Sequence, residues 1–583
     1  MRNIFLKVFI LSLILVAACR DSFFEKLPPS ASTASALYNE QGIDLLLLGA
    51  YSLLDGVGAT SNGSRDYGNP YLLGGAASNW LTGDVRAGDA SKGSTTTDIP
   101  QGYQIERHDL QPNNAVINAK WQVCYDGISR CNEVLRAVKN TRDASQQFLD
   151  EKAAEGRFLR GHYYFELKKM YNNIPWIDEN TTEFRQPNDI DVWPMIEADF
   201  QFAADHLPVT QEQIGRATLG AANAYLAKTY MFQKKYTQAK TLLDAFISTA
   251  EGSGRYGLNS CFRDNFDLAT KNNKETIFAV QNIINDGTPE NDNGNWGDIV
   301  NQPLGVEGEC CGFFKPSYDL VNAFQTDGTG LPLLDTYQNS EVVNDFYPTP
   351  FASADISFMP HAGPLDPRVD WTVGRRGIPY FDWGVHPGAG WMEAREYTGP
   401  YSPKKTSITK ATREASSAGW APGAKAIMIN IIRYADVLLW AAEVEVEIGD
   451  LNKALTYVNQ IRNRAKSGCW VRNAGNTGPA ANYVIEPYSS FASQDHARKA
   501  VRFERRLELS LEGHRFFDLV RWGVADQVIN QYLTIEKVKR QPLVGASFEK
   551  DKEEYFPISD QEIINSFKDG APVLKQNPGY PGS

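Results

Sequence analysis

Apolar residues in the first third of the chain recur at helical spacing. Leu45, Leu46, Leu48, Tyr51 and Leu54 form one such stripe, and Trp121, Tyr125, Ile128, Leu135 and Val138 form a second. A third helix is expected over Ala153 to Tyr171, ended by Asn172-Asn173 and Pro175. Between the first two stripes, Thr60 to Pro112 is rich in Gly, Ser, Asn and Thr and reads as a long, elaborated loop. From Gly252 to Ala426 the periodic runs almost vanish. That stretch is dense in Gly, Pro, Asn, Asp and Trp, with a strand-like piece at Glu275 to Gln281, and is expected to be irregular chain packed on a helical scaffold.

A repeat is embedded in the helical matter. In YLAKTYMFQKKYTQAKTLL, Leu226, Ala227, Tyr230, Tyr236 and Ala239 fall at tetratricopeptide spacing. LLWAAEVEVEIGDLNKALTYVNQIR repeats the register, with Ala442 and Ala454 as the small residues and Gly449-Asp450 as the turn. Small side chains let two antiparallel helices approach closely while aromatics fill the remaining gap. The fold class expected is therefore mainly α: tetratricopeptide-like helix pairs forming a scaffold, with a large loop-rich insertion carrying short strands. GSGRYG at Gly252 to Gly257 fits a dinucleotide-loop pattern in letters only, because it follows a helix and opens none, so it reads as a turn.

The 583 residues are 42% hydrophobic and 22% charged, an ordinary globular mixture, and the net charge of -12 disfavours nucleic acid as a partner. The N-terminus changes the picture more. MRNIFLKVFILSLILVAAC places Arg2 and Lys7 before an apolar run too short to span a membrane, then Val16-Ala17-Ala18 before Cys19. This is the arrangement of a bacterial lipobox: a signal peptide over residues 1–18 and acylation of Cys19, giving a chain anchored to a membrane without crossing it. An ordinary secretory signal with a coincidental cysteine is the alternative. Among the other cysteines no CxxC pair exists. Cys124 and Cys131 lie too far apart along one helix to bridge, whereas Cys310 and Cys311 are open to a vicinal disulfide or to being two small buried residues.

No catalytic motif emerges. There is no nucleophile elbow, no HExxH and no Walker loop, and the 7 histidines include no helical metal pair. NDNGNWGD at Asn291 to Asp298 lacks calcium-loop spacing. The expectation is a non-enzyme without metal or cofactor; a carboxylate pair for glycoside hydrolysis is defined by separation in space, which the 70 acidic residues leave open.

Several segments together carry a resemblance. RFERRLELSLEGHRFFDLVRWG (Arg502 to Gly523), INIIRYADVLLWAAEVE, NQIRNRA, LDPRVDWTVG and the ending YFPISDQEI…LKQNPGY resemble the SusD/RagB family of Bacteroidetes outer-membrane lipoproteins, as do LLLLGAYSLL and EGRFLRGHYYFELKKMYNNIPWI. The resemblance spans the mature chain and divides it into an N-terminal SusD-like region, 19–260, and a C-terminal RagB/SusD region, 261–583, forming one body. It implies capture of a nutrient, typically an oligosaccharide or polysaccharide, at the cell surface and delivery to a SusC-like TonB-dependent transporter. Arg20-Asp21 resembles the charged surface-export signal of such lipoproteins. A peptide-binding member of the family, a surface-anchored glycoside hydrolase and a protein-docking scaffold are the alternatives. Read physically, the Arg502 to Gly523 segment is expected to be one helix burying Phe503, Leu507, Leu511 and His514. Its charges (Arg505, Glu508, Glu512, Arg515, Asp518, Arg521) would pair on an exposed face for about 0.2–0.5 kcal/mol each, with Gly513 permitting a close contact.

The resemblance places ligand sites of this kind in loops outside the helix pairs. Two segments qualify by position: Ser78-Asn79-Trp80 with Asp84 and Arg86, and Asn295-Trp296 through Phe313, Phe314 and Tyr318. Asn79, Asp84 and Arg86 are expected to grip hydroxyls, and Trp80, Trp296 and Tyr318 to stack on sugar rings. Trp383 and Trp391 are held in reserve.

Overall fold

The computed structural model describes residues 34–56, 73–288, 291–306, 311–342, 358–418 and 424–582. Cys19 and the tether after it lie outside these residues, as does Cys310.

The N-terminal half is a run of helices, each packed on its chain neighbour: α1 Glu40–Tyr51, α2 Ala115–Asn140, α3 Gln146–Tyr171, α4 Trp193–His206, α5 Leu219–Phe232 and α6 Tyr236–Ser253. Side-chain caps set several starts. The Asn114 carboxamide accepts from the Val116 and Ile117 N–H groups, and Ser145 accepts from Phe148, so α3 begins seven residues before the expected Ala153. It stops where the sequence indicated, at Asn172, whose φ of 58° no helix continues through. On α1 the buried stripe is Ile43, Leu47 and Ala50, while Leu45 and Leu48 face solvent. A run of four leucines covers more than one helix face, and the i, i+4, i+7 set beginning at Ile43 is the one that meets α2 and α3.

Both tetratricopeptide-like pairs form. The first is α5 with α6; the second is α7 Tyr434–Ile448 with α8 Leu451–Ser467, and Ala227, Ala239, Ala442 and Ala454 are all buried at the contacts. The long insertion returns the chain to its starting place, so that α7 packs on α6. From the start of α8, Lys453 Nζ lies 2.6 Å from Asp244 Oδ1 on α6. Strand β2 (Thr276–Val280), where the strand-like piece was expected, pairs antiparallel with β4 (Ile429–Arg433) immediately before α7. The stretch expected as an elaborated loop holds more order than that: a π-helical turn at Trp80–Val85, strand β1 (Ala90–Gly93) and a helix at Pro100–Arg107. Strand β1 pairs with β3 (Phe313–Pro316).

The Arg502 to Gly523 segment corrects the expectation most. It forms two helices, α9 Gln494–Leu509 and α10 Arg515–Trp522, broken at Leu511 (φ 61°) and Gly513 (φ 78°). The break lets the backbone approach the π-helical turn. A β-carbon on Gly83 would lie 2.2 Å from the Gly513 carbonyl oxygen, and the Gly513 N–H donates to Asp84 Oδ2 at 2.7 Å. The charges are interior. Glu508 accepts from Arg433 at 2.6 Å, from Arg368 at 2.9 Å and from Arg464; Arg462 pairs with Glu504 at 2.8 Å; Arg505 pairs with Asp518 at 2.6 Å. Burial alone would raise the Glu508 carboxyl, but the Arg464, Arg433 and Arg368 guanidinium groups together hold it well below the usual carboxylate range. The figure for an exposed helix pair does not apply here. Removing one partner leaves an uncompensated buried charge, costing about 3–5 kcal/mol.

One covalent link is present that spacing could not reveal. Cys261 and Cys469 form a disulfide, with Cα atoms 5.2 Å apart. Cys124 and Cys131 are free and buried in α2, as expected, and Cys311 is disulfide-bonded.

Candidate functional site

The two segments chosen from the sequence do meet. Ser78 Oγ donates to Asp298 Oδ1 at 2.6 Å, the Trp80 indole N–H donates to the Gly297 carbonyl at 3.1 Å, and the Trp80 ring lies edge-on to Phe314, 5.5 Å away, and to Phe313, 6.4 Å away. They meet as core, and the expected platform and polar grip are corrected accordingly. Trp80 is 1% exposed, Trp296 2% and Tyr318 6%, so no ring has a face open to a sugar. Arg86 is sandwiched between the Phe516 and Phe556 rings, at 4.9 and 4.7 Å, and bonded to Glu553 at 3.0 Å. Asp84 is fully buried and holds the Gly513 N–H, while the Asn79 carboxamide donates to Glu166 at 3.0 Å. These residues join the helical half to the C-terminal half.

Open aromatic faces occur elsewhere. A groove of about 410 Å³ runs between two tight hairpins. One is Pro379 to Val385, closed by Tyr380 N–H donating to the Gly384 carbonyl at 2.8 Å, with Phe381 in the left-handed region (φ 51°) at its tip. The other is Arg472 to Pro479, in which the Arg472 guanidinium bonds the Asn476 carboxamide oxygen at 3.2 Å. Trp371, Phe381 and Trp470 line the groove and are each partly exposed. Both indole N–H groups are already satisfied by backbone carbonyls, Trp371 to Cys469 at 2.7 Å and Trp470 to Ala465 at 2.9 Å, which fixes the rings and leaves their faces to the groove. Polar groups stand at the rim. Asp382 accepts from the Lys410 and Ala411 N–H groups at 2.6 and 2.8 Å, and Arg472 and Asn473 face it from the other hairpin.

A lysine lies at the groove's floor. Lys404 is fully buried, its Nζ 4.9 Å from the Phe381 ring centroid and 5.5 Å from that of Trp371, and it donates to the Pro379 carbonyl at 3.0 Å. Burial pushes its amine down to about 7, partly opposed by the Asp370 carboxylate. The Arg263 guanidinium also lies over the Phe381 ring, 4.1 Å from its centroid. Of the reserve residues, Trp383 donates to the Ile408 carbonyl at 2.9 Å just outside the groove, and Trp391 packs edge-on against His386, 4.9 Å away. No group of three or more metal-ligating side chains occurs among the described residues, nor a helix long and apolar enough to cross a membrane.

Residues 274–580 match the model of the SusD family, and residues 75–231 match a second model, described as starch-binding associating with outer membrane. The chain belongs to the SusD family. Among its relatives, SusD-like protein P2 of Formosa agariphila is 23% identical, aligned over 82% of this chain and 83% of its own length. A SusD-like protein of Bacteroides ovatus is also 23% identical, over 89% of this chain and 83% of its own. The SusD fold is shared with a solved SusD superfamily protein from Bacteroides vulgatus (TM-score 0.66, 22% identity, 93% of this chain and 100% of that one). It is shared as well with surface glycan-binding protein A from Bacteroides thetaiotaomicron, solved with laminarihexaose (TM-score 0.60, 19% identity, 92% of this chain and 99% of that one).

The groove residues lay in plain view in the sequence. Trp371 sits inside the quoted LDPRVDWTVG, and Trp470 directly follows Cys469. Neither lies in the two loop segments expected to hold the ligand, and whether a ring stays open depends on contacts distant in sequence.

Proposed function

We propose that this SusD-family chain binds glycan at the cell surface without turning it over and hands it to a SusC-like TonB-dependent transporter. In this reading acylated Cys19 holds it to the outer membrane. The observation that carries the binding step is the groove: three partly exposed aromatic rings, immobilised by hydrogen bonds and cation–π contacts, beside a carboxylate, an amide and a guanidinium. The C–H face of a sugar packs on such rings while its hydroxyls reach the rim. Relatives solved as laminarin-binding and laminarihexaose-bound proteins make β-glucan the first ligand to try. Calorimetry of Trp371→Ala/Trp470→Ala against laminarihexaose and a wider oligosaccharide panel tests the proposal. Loss of binding with unchanged circular dichroism supports it, unchanged affinity removes the groove, and release of new reducing ends would make the protein a hydrolase. Transfer is tested separately, by co-purification with a transporter from outer membranes, and anchoring by Cys19→Ala, which is expected to free the protein.

A further inference from the structure

A second cavity, larger than the groove, lies on the helical half. It is a cleft of about 770 Å³ between α2, the loop at 175–186 and the C-terminal segment around 562–574. Ligand cavities of this size combine an apolar floor with a few converging polar groups. Here the floor is Tyr125, Ile128, Ile177 and Leu574, with Trp121 behind Tyr125, ring centroids 4.9 Å apart.

The walls are rigid. Tyr125 Oη donates to the Pro175 carbonyl at 2.8 Å, Asn132 Nδ2 to the Ile177 carbonyl at 3.1 Å and Arg136 Nε to the Glu179 carbonyl at 2.9 Å, so three side chains along one face of α2 pin the start of the 175–186 loop. Across the cleft, Gln122 Nε2 bonds Glu562 Oε1 at 3.1 Å. Further polar groups line this rigid frame. Ser129 and Thr182 are exposed in the lining, and Arg185 Nε is buried with no hydrogen-bond partner among the described residues. Phe184 stands at the mouth, 61% exposed, one face backed by the Arg185 guanidinium at 4.4 Å. Donors and acceptors thus alternate around aromatic and aliphatic surface, which suits a polyhydroxylated ligand better than an apolar one or a fully charged one.

We infer that this cleft is a second glycan subsite, with Phe184 as its stacking ring and Arg185, Thr182 and Ser129 as its hydroxyl partners. The inference rests on the glycan reading of the family but uses none of the groove's residues. Two subsites on one body give a polysaccharide bivalent attachment, so its avidity exceeds its affinity for either subsite alone.

The test is calorimetry of the full mature chain with laminarihexaose, cellohexaose, xylohexaose and mannohexaose, on wild type, on Phe184→Ala/Arg185→Ala and on Trp371→Ala/Trp470→Ala. Phe184 and Arg185 are surface loop residues, so their variant is expected to fold, with an unchanged melting temperature as the check. The expected result is two sugars per chain in wild type and one in each double variant. Retention of laminarin or another polysaccharide on affinity gels should fall about ten-fold or more in either, since losing an anchor contact commonly exceeds 1.4 kcal/mol. Binding lost only in the Phe184→Ala/Arg185→Ala variant would uphold the cleft and remove the groove. Wild-type-like stoichiometry and retention in that variant, or no hexasaccharide binding that responds to it, overturns the second subsite.

Discussion

Trp80 with Trp296 and Tyr318, and Trp371 with Phe381 and Trp470, are two aromatic trios of nearly the same chemistry put to opposite uses. In the first trio the ring faces are covered: Trp80 by Phe313 and Phe314, Tyr318 by Tyr401 at 5.7 Å and by the Lys539 ammonium at 4.6 Å. In the second, support comes from below and behind, through carbonyls, Arg263 and Lys404, and the groove side stays open. The difference is one of surroundings. The first trio lies where the helical half and the C-terminal half must be sealed together. In the second, Phe381 lies on a hairpin closed by its own backbone, Trp371 in a single helical turn (Val369–Thr372) and Trp470 just before the other hairpin, so no neighbouring element has to cover the rings.

The largest expected effect breaks the first trio. Trp80→Ala empties a core position at the junction and is expected to lower stability by about 3–5 kcal/mol, as large-to-small aromatic truncations do. Urea denaturation measures it. A loss below about 1 kcal/mol would mean that the ring is not packed as described.

Next comes the disulfide. The bridge staples the groove's two walls: Cys261 precedes Phe262 and Arg263, which stacks on Phe381, while the Cys469 carbonyl holds the Trp371 indole and Trp470 follows it. Closing a loop with a sequence separation of 208 residues is worth about 2–4 kcal/mol, toward the upper end for so long a loop. Cys261→Ser/Cys469→Ser should therefore lower the melting temperature and, unlike Trp80→Ala in protein that remains folded, also weaken glycan binding. Full affinity in the folded double variant would show that the walls hold their spacing without the bridge.

Smaller again is Trp371→Ala, which should weaken glycan binding by about 1–3 kcal/mol, the scale of an interface anchor, and change stability far less than Trp80→Ala. Calorimetry and urea denaturation of the two variants side by side provide the check. If Trp371→Ala proved the more destabilising, the contrast between the trios would fail.

How far the sequence alone reached follows from the same contrast. Period 3.6 stripes, cap residues and small residues at repeat spacing are local signals, and both repeat pairs stand where those signals put them, whereas α3 starts seven residues before the expected Ala153 and the Arg502 to Gly523 segment is broken into two helices. Whether a ring or a charge is covered depends on contacts between residues hundreds of positions apart. Arg505, Glu508 and Asp518 at helical spacing look the same on an exposed face as in the interior, and only Arg368, Arg433 and Arg464 arriving from other elements distinguish the two. The pairing of Cys261 with Cys469 is likewise a fact of topology, because cysteine spacing leaves connectivity open.

The finest test concerns the carboxylate that joins the two segments of the first trio. Asp298 is buried and accepts from Ser78 at 2.6 Å, Asn295 at 2.7 Å and Asn301 at 3.0 Å. Burial raises its carboxyl above the ordinary 3.8, and the hydrogen bonds from Ser78 and Asn295 and the Lys425 ammonium recover part of that rise. Because the folded value lies above the unfolded one, the folded state holds the proton more tightly. The contribution to stability is complete below pH 3.8 and is lost as pH rises through the folded value. The slope is at most about 1.4 kcal/mol per pH unit. Asp298→Asn removes the titration and shifts the baseline by rearranging three hydrogen bonds, so the informative quantity is the slope and not the level. Stability of wild type minus that of Asp298→Asn, measured by urea denaturation from pH 3 to 7, should fall just above the ordinary aspartate range and then stay flat. A difference that rises with pH over that window would mean that the hydrogen bonds outweigh burial, and that this junction is wetter than the covered rings on either side of it imply.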